Sequence, residues 1–227
     1  MARGIDRLVE EQIRRWRLQE KERAARRTPP KPEPVICVSR EFGSLGAAIG
    51  RAAADQLSFS FWDQELVQAI AERTGASQRL VATLDEHARS ELEDLITGSL
   101  LGSEGTEYEY VRQLRRVVHT IAQHGRAVII GRGAHLILGP HTALRVRIIE
   151  PYEQRLAGYA AREGLSSQAA AAKLEAVEND RRAFIRRIYG EDIADPTLYD
   201  LMLNRATFDD QGAAAVIAAS YRAKFPR

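Results

Sequence analysis

Val35-Ile36-Cys37-Val38, continuing into Ser39-Arg40-Glu41-Phe42-Gly43-Ser44-Leu45-Gly46, is the stretch on which the fold turns. Four consecutive apolar residues fit a short strand buried on both faces of a parallel sheet, with Cys37 as a small core residue. The glycine-bearing turn after it leads into a helical pattern over 46–57. Such a turn gathers backbone N–H groups around a phosphate and adds the positive end of the helix dipole, although the same glycines would also serve a plain tight turn. The lysine-bearing phosphate loop, G-x-x-x-x-G-K-[ST], is absent, and no G-x-G-x-x-G follows the strand.

Outward from this stretch, strands and helices alternate. Short strands are expected at 59–61, Ala127 to Ile130, Leu144 to Ile149 and Tyr199 to Leu203. Helices are expected at 64–75, 77–101 with a break, 107–124, 151–163, 167–189 and 209–224, with Ser166 as an N-cap and Gly102-Ser103-Glu104-Gly105 as a loop. This alternation predicts an α/β domain with a mainly parallel sheet over residues 35–227. The excursion over 64–126 is too long for a simple crossover and reads as a helical insertion. Upstream, Ile5, Leu8, Val9, Ile13 and Trp16 share one face of an amphipathic helix. Thr28-Pro29-Pro30-Lys31-Pro32-Glu33-Pro34 ends that arm in a semi-rigid linker. The stripe suits docking on the chain's own domain or on a second copy in a homodimer.

The chain has 227 residues, 44% of them hydrophobic, which is ample for a core and excludes a wholly disordered protein. A single cysteine excludes a disulfide framework and a multi-cysteine zinc site, and it fits a reducing cytoplasm. There is no signal-peptide pattern at the start and no apolar run of membrane-spanning length, so the expectation is a soluble cytoplasmic protein without a membrane partner. The formal charge of +2 divides unevenly: residues 1–33 carry 10 basic and 6 acidic side chains, while the remainder carries 23 and 25. Acidic residues dilute the arm's basic face, which disfavours nucleic acid as a partner.

Ligands of an open parallel sheet bind beyond the carboxyl ends of its strands, which directs attention to three segments. The first is the loop Ser39, Arg40, Gly43, Ser44, Leu45 and Gly46. The second is Gly131-Arg132-Gly133, where an arginine between glycines can fork onto an anion. The third is Asp180-Arg181-Arg182-Ala183-Phe184-Ile185-Arg186-Arg187, whose arginines make a cationic helix face suited to a polyanion or simply to solvent. The five histidines show no metal-ligand spacing and read as surface or helix residues, so no metal-binding side chain is expected. Ser44 lacks the frame of a hydrolase nucleophile elbow.

In order and spacing these segments resemble the cytidylate kinase-like family, a branch of the P-loop nucleoside monophosphate kinases. Val35 to Gly46 looks like that family's opening strand and phosphate loop. Phe61-Trp62-Asp63-Gln64-Glu65-Leu66, Val128-Ile129-Ile130-Gly131-Arg132-Gly133-Ala134 and Tyr199-Asp200-Leu201-Met202-Leu203-Asn204 resemble its later blocks. The resemblance spans residues 35–220 and implies a P-loop NTPase-type sheet, a helical substrate region and a lid at about 164–195. It further implies ATP with Mg²⁺ and a CMP- or dCMP-like acceptor. Arg132 would hold the acceptor phosphate, Arg182 and Arg186 would clamp the transferring phosphates, and Asp63, Arg181 and Arg187 would lie at the substrate. The sequence departs from the pattern at Ala47-Ala48. A gapless match to true cytidylate kinases puts Gly46 and Ala48 where those enzymes carry the catalytic lysine and the metal-binding hydroxyl. Three functions follow as expectations: a phosphotransferase, a nucleotide- or phospho-ligand-binding module with weak or no turnover, and an interaction scaffold whose basic arm recruits a partner.

Overall fold

The computed structural model describes residues 2–24, 32–84, 86–99 and 106–226. Residues 28–31 of the expected linker and the expected loop at 102–105 lie outside them. The chain forms two compact units, one of residues 1–33 and 64–126, the other of residues 34–63 and 127–227.

In the second unit, β1 (Val35–Arg40), β2 (Ser60–Trp62), β3 (Ala127–Ile130), β4 (Ala143–Ile149) and β5 (Leu201–Asn204) form one sheet in the order β2–β3–β1–β4–β5. Every pairing is parallel. Val38 lies beside Ile130 and Arg40 beside Ile148, so β1 and β4 run about two residues past the end of β3. The apolar runs of β1 and β3 are almost fully buried, as a strand covered on both faces requires. One face carries Ile36, Val38, Val128, Ile130, Leu144, Val146 and Ile148, packed with Ile49, Ala53 and Ala54 of α2 (Gly46–Leu57). Ala213, Ala214 and Ile217, from the last helix (Asp210–Lys224), complete this core. Each Val, Leu or Ile among them contributes about 1.5–3 kcal/mol by leaving water.

β5 begins two residues later than its sequence pattern suggests. Tyr199 precedes it and is buried, because its ring stacks on His135 and its hydroxyl donates to the carbonyl of Ile193 (2.9 Å).

The first unit is helical, with α1 (Ala2–Ala24), α3 (Gln64–Ala71), α4 (Thr74–Val81), α5 (Glu86–Ser99) and α6 (Thr106–His124). Val9, Ile13 and Trp16 of α1 are buried, and α1 packs on α3 and α4. Trp16 stacks on His124 at 3.8 Å between ring centres, and His124 pairs with the Thr83 hydroxyl at 2.7 Å. Three residues of the arm's stripe, Val9, Ile13 and Trp16, are therefore covered by its own chain, while Leu8 stays exposed. His124 and His135, expected as surface or helix residues, both lie in helices and are buried, because the stacking aromatic partners come from distant parts of the sequence. Among the described residues no helix is long and apolar enough to cross a membrane.

Candidate functional site

The loops that follow β1, β2 and β3 leave the carboxyl edge of the parallel sheet in the second unit. After β1 the Glu41 amide still bonds the Ile148 carbonyl (3.0 Å), then the chain turns. The buried hydroxyl of Ser44 closes the turn by donating to the Glu41 carbonyl (2.8 Å). Gly43 has φ +90°, a conformation that favours glycine, and Leu45 adopts φ +56° as the residue before α2. No side chain caps α2 and no acidic residue lies in its first turn. The Ile49 amide makes the first bond of the helix, to the Leu45 carbonyl, so the amides of 46–48 lie ahead of it with the positive helix end behind them.

The loop's carbonyls are held from another direction by helices α8 (Tyr152–Glu163) and α9 (Ser167–Tyr189). Arg181 donates to the carbonyl of Arg40 (3.0 Å), Arg155 to that of Phe42 (3.1 Å) and Arg162 to that of Gly43 (3.1 Å). The Phe42 amide donates to the carboxylate of Glu178. Glu178 also faces Arg155 (3.8 Å) and Arg181 (3.7 Å), and Arg155 faces Glu41 (3.3 Å). Phe42 packs edge-on against Tyr159 and lies under the Arg181 guanidinium. With three carbonyl acceptors of the loop engaged by guanidinium groups, the free amides at the start of α2 form its anion-accepting side.

Beside it, Gly131, Arg132 and Gly133 follow β3 with φ of +72°, +52° and +68°. A left-handed arginine costs about 1–2 kcal/mol, and the surrounding contacts hold it there. The Gly131 amide bonds the Val38 carbonyl (3.0 Å) and the Tyr189 hydroxyl donates to the Arg132 carbonyl (3.1 Å). Any Cβ on Gly133 would fall 2.3 Å from the Tyr189 ring. The Arg132 guanidinium lies 5.5 Å from the centre of the Phe184 ring. Asp63 follows β2 at the same edge, since Trp62 pairs with Ile129.

The expected arginines of α9 divide by helical face. Arg181 reaches the loop, whereas Arg182 and Arg186 line a pocket of about 250 Å³ with Ala183, Glu191 and Asp192. Arg187 is near the end of the same helix.

Several residues escaped the sequence reading. Arg155, Arg162 and Glu178 build the outer shell of the loop, and the spacing of Arg155 and Arg162, two turns apart on one helix, was the available signal. Arg147 is buried in β4, donates to Ser39 Oγ (2.8 Å) and lies 5.8 Å from the centre of the Tyr199 ring, with no carboxylate partner among the described residues. Its signal was a charged residue alternating with Val146 and Ile148 in an otherwise apolar strand. Burial first, and then the charges of Arg147 and Arg145, hold His135 neutral with its pKa down at about 3. Burial likewise pushes the Cys37 thiol far above its ordinary range, as expected of a core residue.

A nucleotide polyphosphate fits the loop, because amides, a helix end and flanking guanidinium groups are what its oxygens need. The start of α2 offers Mg²⁺ no side-chain ligand. Positions 47 and 48 are alanine and the Ser44 hydroxyl is turned to Glu41, so a metal there would rest on the nucleotide's own phosphates and water.

A parallel sheet in this order, with a phosphate-type loop between its central strand and the next helix, defines a P-loop α/β fold. The chain belongs to the cytidylate kinase-like family, whose profile matches residues 35–207. Among similar proteins, a cytidylate kinase of Pyrococcus horikoshii is 30% identical over 112 residues, covering 49% of this chain and 58% of that kinase. One from Thermococcus kodakarensis has the same identity and coverage, so the match spans less than two thirds of either relative. A cytidylate kinase of Ignicoccus hospitalis is 24% identical, covering 81% of this chain and 96% of that kinase. A solved structure of an uncharacterised protein from Eubacterium ventriosum shares the fold, with TM-score 0.57 and 17% identity, covering 83% of this chain and 98% of that one.

Proposed function

We propose that this chain is a nucleoside monophosphate kinase-like phosphotransferase, moving the terminal phosphate of ATP to a cytidylate-like acceptor, CMP or dCMP. The observation that carries the reading is the loop at 40–46, with its carbonyls drawn outward by Arg155, Arg162 and Arg181 and the first amides of α2 left for an anion. Membership of the cytidylate kinase-like family supports it. In this reading Ser39, Arg40, Gly43, Ser44, Leu45 and Gly46 hold the donor phosphates. Arg132 forks onto the acceptor phosphate with Asp63 and Arg187 toward the acceptor, whereas Arg181, expected there as well, holds the Arg40 carbonyl of the donor loop. Arg182 and Arg186 line a separate pocket in this structure, so in this reading the lid must close over the loop before they neutralise charge on the transferring group, the main way a protein assists phosphoryl transfer. No step is assigned to a metal ion. The test is ATP-to-ADP turnover across the common ribo- and deoxyribonucleoside monophosphates. Turnover confined to CMP and dCMP supports the proposal, and none with any acceptor refutes it.

A second reading, a nucleotide-binding module with little turnover, is favoured by Gly46, Ala47 and Ala48, which offer neither ammonium nor hydroxyl at the helix start. Protection by ATP against thermal unfolding, without turnover, would support it.

A further inference from the structure

The lysine that phosphate loops carry is absent, yet the space beside its position is filled. In the G-x-x-x-x-G-K pattern the first place is glycine and the seventh lysine, whose ammonium reaches the terminal phosphates of the donor. In this chain the first place is Arg40 and the seventh is Gly46. Leu45 keeps the left-handed backbone at the sixth place, where the pattern has its second glycine, so the loop path is preserved while the outer residues change.

Gly46 has no left-handed φ to explain it; its reason is space. A Cβ built on Gly46 would lie 2.5 Å from Arg40 Cβ and 2.9 Å from Arg40 Cγ, both far inside contact distance. The arginine stem therefore crosses the first residue of α2 where a lysine stem would begin. From Arg40 Cγ, the bonds through Cδ, Nε and Cζ to a terminal nitrogen number four. From a lysine Cβ to Nζ the number is the same, so the two cations have equal reach from nearly the same point.

We infer that Arg40 and Gly46 are the phosphate-loop lysine and glycine transposed: Arg40 is the cation that meets the terminal phosphates of the donor, and Gly46 exists to let it pass. This rests on the nucleotide-binding reading of the loop and not on turnover. A guanidinium meets phosphate oxygens in a planar bidentate fork, where a lysine ammonium acts as a compact point charge.

The experiment is calorimetric titration of the full-length protein with ATP, ADP and AMP, in EDTA to exclude metal effects. Arg40→Ala is expected to weaken ATP binding about 10- to 100-fold, the range of a charge-assisted hydrogen bond, while changing AMP binding little. Gly46→Lys alone should also weaken ATP binding, because its Cβ collides with the arginine stem. The double variant Arg40→Gly with Gly46→Lys restores the ordinary arrangement and should recover ATP affinity to within about threefold of wild type, the margin of ordinary non-additivity. If Gly46→Lys does not fold, Gly46→Ala makes the same collision and should lower the melting temperature, with relief in Arg40→Gly/Gly46→Ala. Unchanged ATP binding in Arg40→Ala, or a double variant no better than its parents, overturns the assignment while leaving the nucleotide-binding reading intact. A wild type that binds none of the three nucleotides overturns that reading and the assignment with it. ATP binding without turnover removes the kinase proposal alone.

Discussion

Lowering the pH from about 7.5 to about 5 should cost the sheet-bearing unit about 2 kcal/mol through His135 alone. The ring is 4% exposed, stacks on Tyr199 at 4.8 Å, and its Nε2 has no partner among the described residues. Burial, followed by the charges of Arg147 and Arg145, lowers its pKa from 6.5 to about 3. The folded ring is thus neutral at pH 5, whereas the unfolded one binds a proton. Between 6.5 and about 3 the unfolded state carries more protons, so stability rises with pH in that window. The contribution is complete above 6.5 and is lost as the pH falls, by about 1.4 kcal/mol per unit. Urea unfolding across this range, followed by the fluorescence of buried Trp62 in a Trp16→Phe background, measures the slope. His135→Phe keeps a stacked ring that cannot take a proton, and its slope should be shallower by about 1.4 kcal/mol per unit. An imidazole that titrates near its ordinary value in the folded protein by NMR, or equal slopes for wild type and His135→Phe, would refute the reasoning.

Three further outcomes follow from the packing. Trp16→Ala should destabilise the helical unit by about 3–5 kcal/mol in urea unfolding, because it removes a buried indole and its stack on His124. Arg155→Ala should cost about 3–5 kcal/mol, since Glu41 and Glu178 then lose their shared cation, and Arg155→Ala with Glu178→Gln should cost less than the sum of the single changes. Gly133→Ala should cost about 1–3 kcal/mol from its left-handed backbone, plus displacement of Tyr189. A thermal-melt cycle with Tyr189→Ala should show part of that loss disappear when the ring is absent.

The alternation of strands and helices, and the place of the phosphate-type loop, were legible in the order of residues. Buried parallel strands must be short apolar runs, and the turn that cradles an anion must fit between one such run and a helix start. These are local constraints, and Val35 to Gly46 and Ala127 to Gly133 express them residue by residue. The motifs that resembled the cytidylate kinase-like family are borne out by the family match over residues 35–207. The partners that distant segments supply emerged only with the folded chain. Arg181 of the arginine run turns to the loop while Arg182 and Arg186 face a separate pocket, because successive residues of a helix point in different directions. Trp16 and His124, far apart in sequence, become a stacked pair, which buries the Trp16 end of the arm's stripe. Gly46 reads as a missing lysine in one dimension; only the path of the Arg40 side chain gives it a positive reason, since steric exclusion between residues six apart exists only once the chain has turned back on itself.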